Sequence, residues 1–388
     1  MVYLCLMKTH PLKITRIEAT PLFIPLREPY YWAGRVDEGV TVALVAVHTD
    51  DGMVGYGEST GNHSLAGVID VLRRAHALLA GASPFDIARS MEIVWRACNL
   101  DFVPRFGNLA LAGLEMALWD LVGKATGHSI TALMGGCCRD AVDYFGFIQG
   151  DTAAELAASA QRILTEGISV FYLKVGRGEA ADLENVAAVR GVIGGRRLRL
   201  DANEAWSPAT AIRMIGRLAA YEPEFVEQPT PAGNISALEQ VKRSVSVPIA
   251  ADQSAFTAAD VYELCRRQAA DLIAIGPHEA GGLLGFKKAA AVAEAAGLEV
   301  CLHGQFVTGI SDCAQHQVGL TTPNLADGNQ IMHQLLTEDL IAAPDLTPRD
   351  GRLGPLAGPG LGFTLDFDAV QRAAERYRMR GSMTGETR

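Results

Sequence analysis

At 388 residues the chain has room for two domains, or for one large barrel with an attached unit. Its 49% hydrophobic and 20% charged residues are ordinary for a globular protein, and no apolar run reaches membrane length. A formal charge of −10 with no basic tail argues against a nucleic-acid partner, but not against an anionic substrate, because a divalent metal reverses the local field.

Residues 1–12 read as a ragged leader, since the apolar Met1–Leu6 is too short for a signal segment or a membrane span. A strand is predicted over 14–23, then a loop over about 24–34 carrying Pro25, Pro29, Tyr30, Tyr31 and Trp32. The β-prone run 41–49 ends at Asp51-Gly52, a hairpin signal, and 54–58 returns beside it. Residues 64–98 and 109–127 have helical spacing, the second closed by Gly127. Strands followed by helices predict an α+β unit over 13–135.

After Gly135-Gly136 the pattern becomes strand and helix in alternation. Near-continuous apolar strands end at 174, 201, 227, 252, about 276 and 303, successive gaps being 24 to 27 residues. One βα unit per gap predicts a parallel sheet, and seven or eight units predict a modified TIM barrel of (β/α)7β type over 136–345. A doubly wound open sheet is the alternative. The eighth strand is placed near Asn324–Asp327, and the Gly/Pro-rich segment 346–388, with a last helix near 368–377, is expected to return to the first unit. The seven cysteines (Cys5, Cys98, Cys137, Cys138, Cys265, Cys301 and Cys313) form no CxxC pair, which predicts reduced thiols and a cytoplasmic protein.

The chemistry concentrates at the strand ends. Asp201, Glu227 and Asp252 end three successive strands. One such acid is more often a helix cap, but three on one barrel rim converge, and convergent unpaired charge is costly. A hard, oxygen-seeking cation relieves it, with Mg²⁺ expected first and Mn²⁺ second. Asn203 either joins that shell or caps a helix, and Gln253 sits directly beside it. Lys174 ends the strand before Asp201, where a neighbouring cation and desolvation would lower its pKa and suit it as a base. His303 ends the seventh strand, across the rim. His278 and Glu279 are weaker candidates, and His316 and His333 read as structural. The glycines at 281–285 and 358–362 lack a phosphate-binding fingerprint.

The chain resembles the mandelate racemase/muconate lactonizing enzyme branch of the enolase superfamily. The resemblance rests on Gly113–Leu121 with Gly123-Lys124, Leu133–Gly136, Asp201-x-Asn203, Glu227-Gln228-Pro229, Ala251-Asp252-x-Ser254 and Gly358–Gly362. It implies a Mg²⁺-dependent enzyme that removes the proton α to a small substrate carboxylate. By the same resemblance the site lies between barrel and cap, and capping loops choose the substrate. One such loop carries Tyr30, Tyr31 and Trp32, and another carries Glu58, Asn62 and His63. Assembly as a dimer or octamer is also implied.

Three departures stand out. Tyr172 replaces the first lysine of the branch's Lys-x-Lys pair. Gly276 stands where relatives carry a lysine, or an aspartate paired with the histidine. Gln253 replaces a common Glu. Lys174 and His303 are then the expected acid/base pair, with His303 lacking its orienting carboxylate and hence a better proton donor than abstractor. That reasoning favours a dehydratase of sugar acids or hydroxy-amino acids, with racemase, epimerase or cycloisomerase as alternatives on the same enediolate. A barrel that binds a carboxylate without turnover is the alternative of another class. Tyr30, Trp32, Tyr172 and Asp327 complete the expected surroundings of the site.

Overall fold

The computed structural model describes residues 12–61 and 64–384. The expected leader up to residue 11, with Cys5, lies outside them, as do Asn62 and His63 of the second capping loop.

The chain opens with an antiparallel sheet of β1 (Ile14–Trp32), β2 (Arg35–Thr49) and β3 (Val54–Thr60), in that order. The segment expected as a loop over 24–34 is therefore mostly strand. β1 continues to Trp32, with Tyr30 opposite Asp37 and Trp32 opposite Arg35, after a register slip between Pro25 and Tyr30. The prolines are tolerated because β1 is an edge strand whose outer side needs no N–H donors. Strand alternation then separates the aromatics: Tyr30 is buried toward the barrel mouth, whereas Tyr31 points to the other side of the strand, under the guanidinium of Arg177 from the loop after β6.

Three helices cover this sheet: α1 (Leu65–Leu79), α2 (Ile87–Ala97) and the long α3 (Pro104–Thr126). α3 packs on β3 almost backbone to backbone. A Cβ on Gly57 would fall 2.1 Å from the Gly113 carbonyl, so only glycine permits that approach.

After α4 (Ile130–Leu133) the barrel begins with β4 (Val142–Asp143) and β5 (Gly146–Phe147). Alternation follows through α5 (Ala153–Thr165), β6 (Val170–Lys174), α6 (Glu179–Ile193), β7 (Arg197–Asp201) and α7 (Pro208–Leu218). It continues through β8 (Phe225–Glu227), α8 (Ile235–Ser244), β9 (Ile249–Ala251), α9 (Ala258–Arg267) and β10 (Leu272–Ala274). A helical turn α10 (Pro277–Ala280), then α11 (Leu283–Ala295), β11 (Glu299–Cys301) and α12 (Gly309–Leu320) complete it.

Strands β5 to β11 lie side by side in sequence order, all parallel. An open doubly wound sheet would reverse that order partway. The gap between β11 and the first strands is bridged by an irregular eighth segment, through parallel bridges Val300–Leu325 and Tyr144–Asn329. The fold is thus the expected barrel with an N-terminal α+β cap. The last helix, α13 (Phe367–Thr384), returns to the cap, with Ala373 packed in one cluster with Leu22 and Ile24 of β1.

The eighth segment corrects one expectation. Asp327 is exposed at the base of the barrel, where its carbonyl accepts hydrogen bonds from the Arg197 and Arg199 guanidiniums. Its strand starts at that level and reaches the opposite rim only around Gln330 and Met332, so Asp327 belongs to the end away from the site.

Buried polar side chains of the cap tie it to the barrel. Glu58, expected among substrate-facing residues, is instead fully buried and accepts from the Thr308 N–H and hydroxyl. Asn108 donates to the carbonyls of Phe256 and Glu279. Glu115 accepts from the Leu283 and Leu284 N–H groups and from the Trp119 indole, capping α11 from another part of the fold. Glu115→Ala leaves all three donors without their acceptor, and should lower unfolding stability by about 2–3 kcal/mol. Urea denaturation of wild type and variant measures this; a loss under roughly 0.5 kcal/mol would mean that water replaces the carboxylate.

Candidate active site

Parallel register brings the strand-end residues to one level. Lys174 pairs with Asp201, and Asp201 with Glu227, across β6, β7 and β8. Asp252 follows the last residue of β9, and His303 lies two residues past β11. Asp201, Glu227 and Asp252 are buried, while Lys174 and His303 are each 12% exposed. The five side chains that the sequence placed on one rim do share one mouth.

Their contacts are specific. Lys174 Nζ donates to Asp201 Oδ2 at 2.5 Å, and the Asn203 N–H donates to Asp201 Oδ1 at 2.7 Å. Tyr172 Oη lies 2.7 Å from Asp201 Oδ2 and 2.8 Å from Glu227 Oε1. The loop after β8 is held by Gln228, whose side-chain Oε1 accepts from the Asp252 and Ser254 N–H groups. His303 Nδ1 lies 3.4 Å from Asp252 Oδ1 and equally 3.4 Å from Glu279 Oε1. Glu279, on α10, was weighed as weak because it lies past the strand end; the helical turn folds it back beneath the imidazole.

His303 was expected to have no carboxylate beside it; it has two within ion-pair distance, although its Nδ1 makes no hydrogen bond to either. Burial opposes its charge, but Asp252, Glu279 and Glu227 more than compensate, raising its pKa to about 10. Lys174 also departs from expectation. Its lowered pKa was expected beside a bound cation; with the carboxylates alone, burial pulls the pKa down but Asp201, Tyr30 and Glu227 give a net upward shift. The acids show the cost of convergence. Burial first, then mutual repulsion, raises Glu227 to about 8 and Asp252 to about 7.

Two observations test whether a cation fits. Asp252 Oδ2 is buried without a hydrogen-bond partner. Tyr172 has one phenolic proton for two carboxylate oxygens, so one of those contacts lacks a donor. An all-oxygen set of buried carboxylates short of donors fits a hard divalent ion. Among the described residues, Glu227, Asp252 and His303 bring one ligand atom each to within 4.8 Å of one another. Asp201 is not in that group, and its Oδ2 is instead held by Lys174 and Tyr172.

A cavity of about 360 Å³ opens above these groups, between barrel and cap. Lys174, Asn203, Gln253 and His303 form its floor. Tyr30 and Trp32 from β1, with Phe147, Phe306 and Met332 of the barrel, give it aromatic and apolar walls. Tyr30 is buried at the centre, with Lys174 Nζ 5.9 Å from its ring centroid and its own pKa pushed up to about 12, chiefly by burial. Arg35 stacks on Trp32 at the lip, and Trp32 Nε1 donates to Asp37 at 2.6 Å. The sequence signalled neither the Arg35 and Asp37 lip nor the Phe306 wall, since these converge only through the hairpin and the β11 loop. His316 and His333 are held elsewhere, by Tyr144 and Asp312 respectively.

Comparison with known proteins agrees with this architecture. The family described as Mandelate racemase / muconate lactonizing enzyme, N-terminal domain, matches residues 17–135, and Enolase C-terminal domain-like matches 155–370. Muconate cycloisomerase 1 of Rhodococcus opacus is 31% identical over 380 residues, covering 93% of this chain and 98% of its own. The chain belongs to the mandelate racemase/muconate lactonizing enzyme family. Hydrophobic dipeptide epimerase of Enterococcus faecalis is another relative, 30% identical over 78% of this chain and 86% of its own. Among solved structures, muconate lactonizing enzyme from Pseudomonas fluorescens complexed with muconolactone has a TM-score of 0.87 at 30% identity, covering 94% and 100% of the two chains. Dipeptide epimerase from Enterococcus faecalis, complexed with Mg and L-Leu-L-Tyr, has a TM-score of 0.83 at 27% identity, covering 91% and 99%.

These family members are named as isomerases, which overturns the expectation that a lyase is favoured. The dehydratase argument had rested on a histidine without a carboxylate, and His303 has two beside it. No helix among the described residues is long and apolar enough to cross a membrane.

If the rim takes Mg²⁺, the ion should raise the midpoint of thermal unfolding, with a stabilisation of about 2.7 kcal/mol at a hundredfold excess over Kd. Asp252→Asn should remove most of that shift. Differential scanning fluorimetry with and without EDTA checks both; an equal shift in the variant would place the ion elsewhere.

Proposed function

We propose that this family member is a racemase or epimerase acting at the carbon α to the carboxylate of a small acid with an apolar or aromatic distal part. The observation that carries the proposal is the position of two acid/base groups. Lys174 ends β6 and His303 follows β11, with three buried carboxylates on the strands between. In a closed barrel those strands lie on opposite sides of the mouth, so the two groups face a substrate from opposite faces.

Asp201, Glu227 and Asp252 would hold Mg²⁺, which withdraws electron density from a substrate carboxylate and so acidifies the adjacent C–H. Lys174 takes the α-proton from one face once Asp201 no longer claims its Nζ. His303 delivers a proton to the other face, which inverts the centre; the reverse direction exchanges the roles. Tyr30 lies beside Lys174 on the cap side and, with Trp32, closes the cavity over the reacting carbon. Its aromatic walls favour a distal apolar group, in keeping with a relative named hydrophobic dipeptide epimerase.

Cycloisomerisation is the second reading, favoured by the relatives named muconate cycloisomerase. It moves a proton at one face only, and so needs Lys174 but gives His303 no chemical task.

The deciding experiment incubates wild type with Mg²⁺ in D₂O and a library of dipeptides, N-acyl amino acids and 2-hydroxy acids, each as a single enantiomer. Deuterium at the α-carbon with loss of optical purity is expected. Lys174→Ala and His303→Asn should each suppress exchange from its own face by about 10²–10⁴-fold. Full turnover in His303→Asn would favour cycloisomerisation, and full turnover in Lys174→Ala would overturn both readings.

A further inference from the structure

Position 276, where the resemblance would place the partner of the histidine, is blocked in this chain. A Cβ on Gly276 would lie 1.8 Å from the His303 carbonyl oxygen, so any side chain there must displace the backbone that carries the imidazole. The strand β10 stops at Ala274, and Gly276 is instead the N-cap of the helical turn α10. That turn returns a carboxylate from three residues further on. Glu279 Oε2 accepts the Gly276 N–H at 3.1 Å, and Oε1 accepts Gln305 Nε2–H at 2.7 Å. The same Oε1 lies 3.4 Å from His303 Nδ1.

We propose that Glu279, anchored by Gln305 and by the Gly276 N–H, is the positioning residue for His303. It takes over the task left vacant at position 276. Nδ1 is buried without a hydrogen-bond partner, and a small turn of the ring would let Oε1 accept from Nδ1–H and direct Nε2 toward the cavity, the orientation His303 needs to exchange a proton with substrate. Every other bond to Glu279 is consistent with a rigid mount. The side chain is fully buried, and its backbone carbonyl is held by Asn108 of α3 at 2.7 Å. A merely structural carboxylate would need no lone pair beside an imidazole at the cavity floor. This inference rests on the racemase reading for what His303 does, but not for how the ring is held.

The competing holder is Asp252, also 3.4 Å from Nδ1. The test therefore separates the two. Full-length protein loaded with Mg²⁺ and labelled with ¹⁵N in its histidine rings is compared for wild type, E279Q, E279A, E279D and Q305L, with H303N assigning the signals. A downfield, slowly exchanging His303 Nδ1–H is expected in wild type. It should move upfield in E279Q and E279A, move partway in Q305L, and return in E279D. Mg²⁺ affinity by calorimetry should stay within about tenfold, the lower edge of what losing an outer partner costs.

On the acid that gives the strongest exchange in wild type, E279Q should lose exchange at the His303 face by about ten- to hundredfold, while the Lys174 face keeps its rate. An unchanged Nδ1–H in both E279Q and E279A would overturn the proposal and assign the ring to Asp252. Equal loss at both faces would also overturn it, because Glu279 would then be acting on the fold rather than on His303. If no acid exchanges in wild type but the Nδ1–H moves as described, the racemase reading fails and the positioning role stands.

Discussion

Three carboxylates converge on one buried rim, and the rest of the molecule answers to that repulsion. Asp201, Glu227 and Asp252 are almost completely shielded from water, so their charges are barely screened. The protein meets this with the Lys174 ammonium at one edge, the His303 imidazole at the other, and a phenol between Asp201 and Glu227. These partners are also groups able to carry protons. Electrostatic need and proton-carrying capacity therefore fall on the same side chains.

The barrel makes the convergence possible and the cap makes it dry. Parallel register alone sets Lys174, Asp201 and Glu227 at one level. Nothing in the barrel closes the mouth, and that task falls to the hairpin of β1 and β2, which carries Tyr30 against Lys174 and Trp32 to the lip. Glu58, Asn108 and Glu115 fix the cap by bonding to backbone groups of the barrel's loops and helix ends, not to its strands. The ties therefore act on the elements that carry Glu279 and flank His303.

How much of this could be read beforehand follows from which signals are local. Strand ends spaced 24 to 27 residues apart exposed the barrel and its five rim residues, because each is marked by its own apolar run. The extension of β1 through Pro25 and Pro29 was hidden, since an edge strand relaxes the rule that usually excludes proline. Glu279 was hidden for a different reason. Its contact with His303 spans 24 positions and depends on a helical turn too short to leave a periodic signature. Asp327 misled because an acid near a strand looks the same in sequence whether it starts the strand or ends it. The lyase expectation followed from the missed Glu279, since it took His303 to have no carboxylate near it.

The crowding at Gly276 limits what that position can become. With the His303 carbonyl 1.8 Å from where a Cβ would stand, any side chain there obliges the backbone after β11 to shift. The loop that would have to move is stitched to Glu279 through Gln305. A redesign that installs a carboxylate at 276 must therefore rebuild the loop after β11 together with it, so the two positions cannot be altered one at a time.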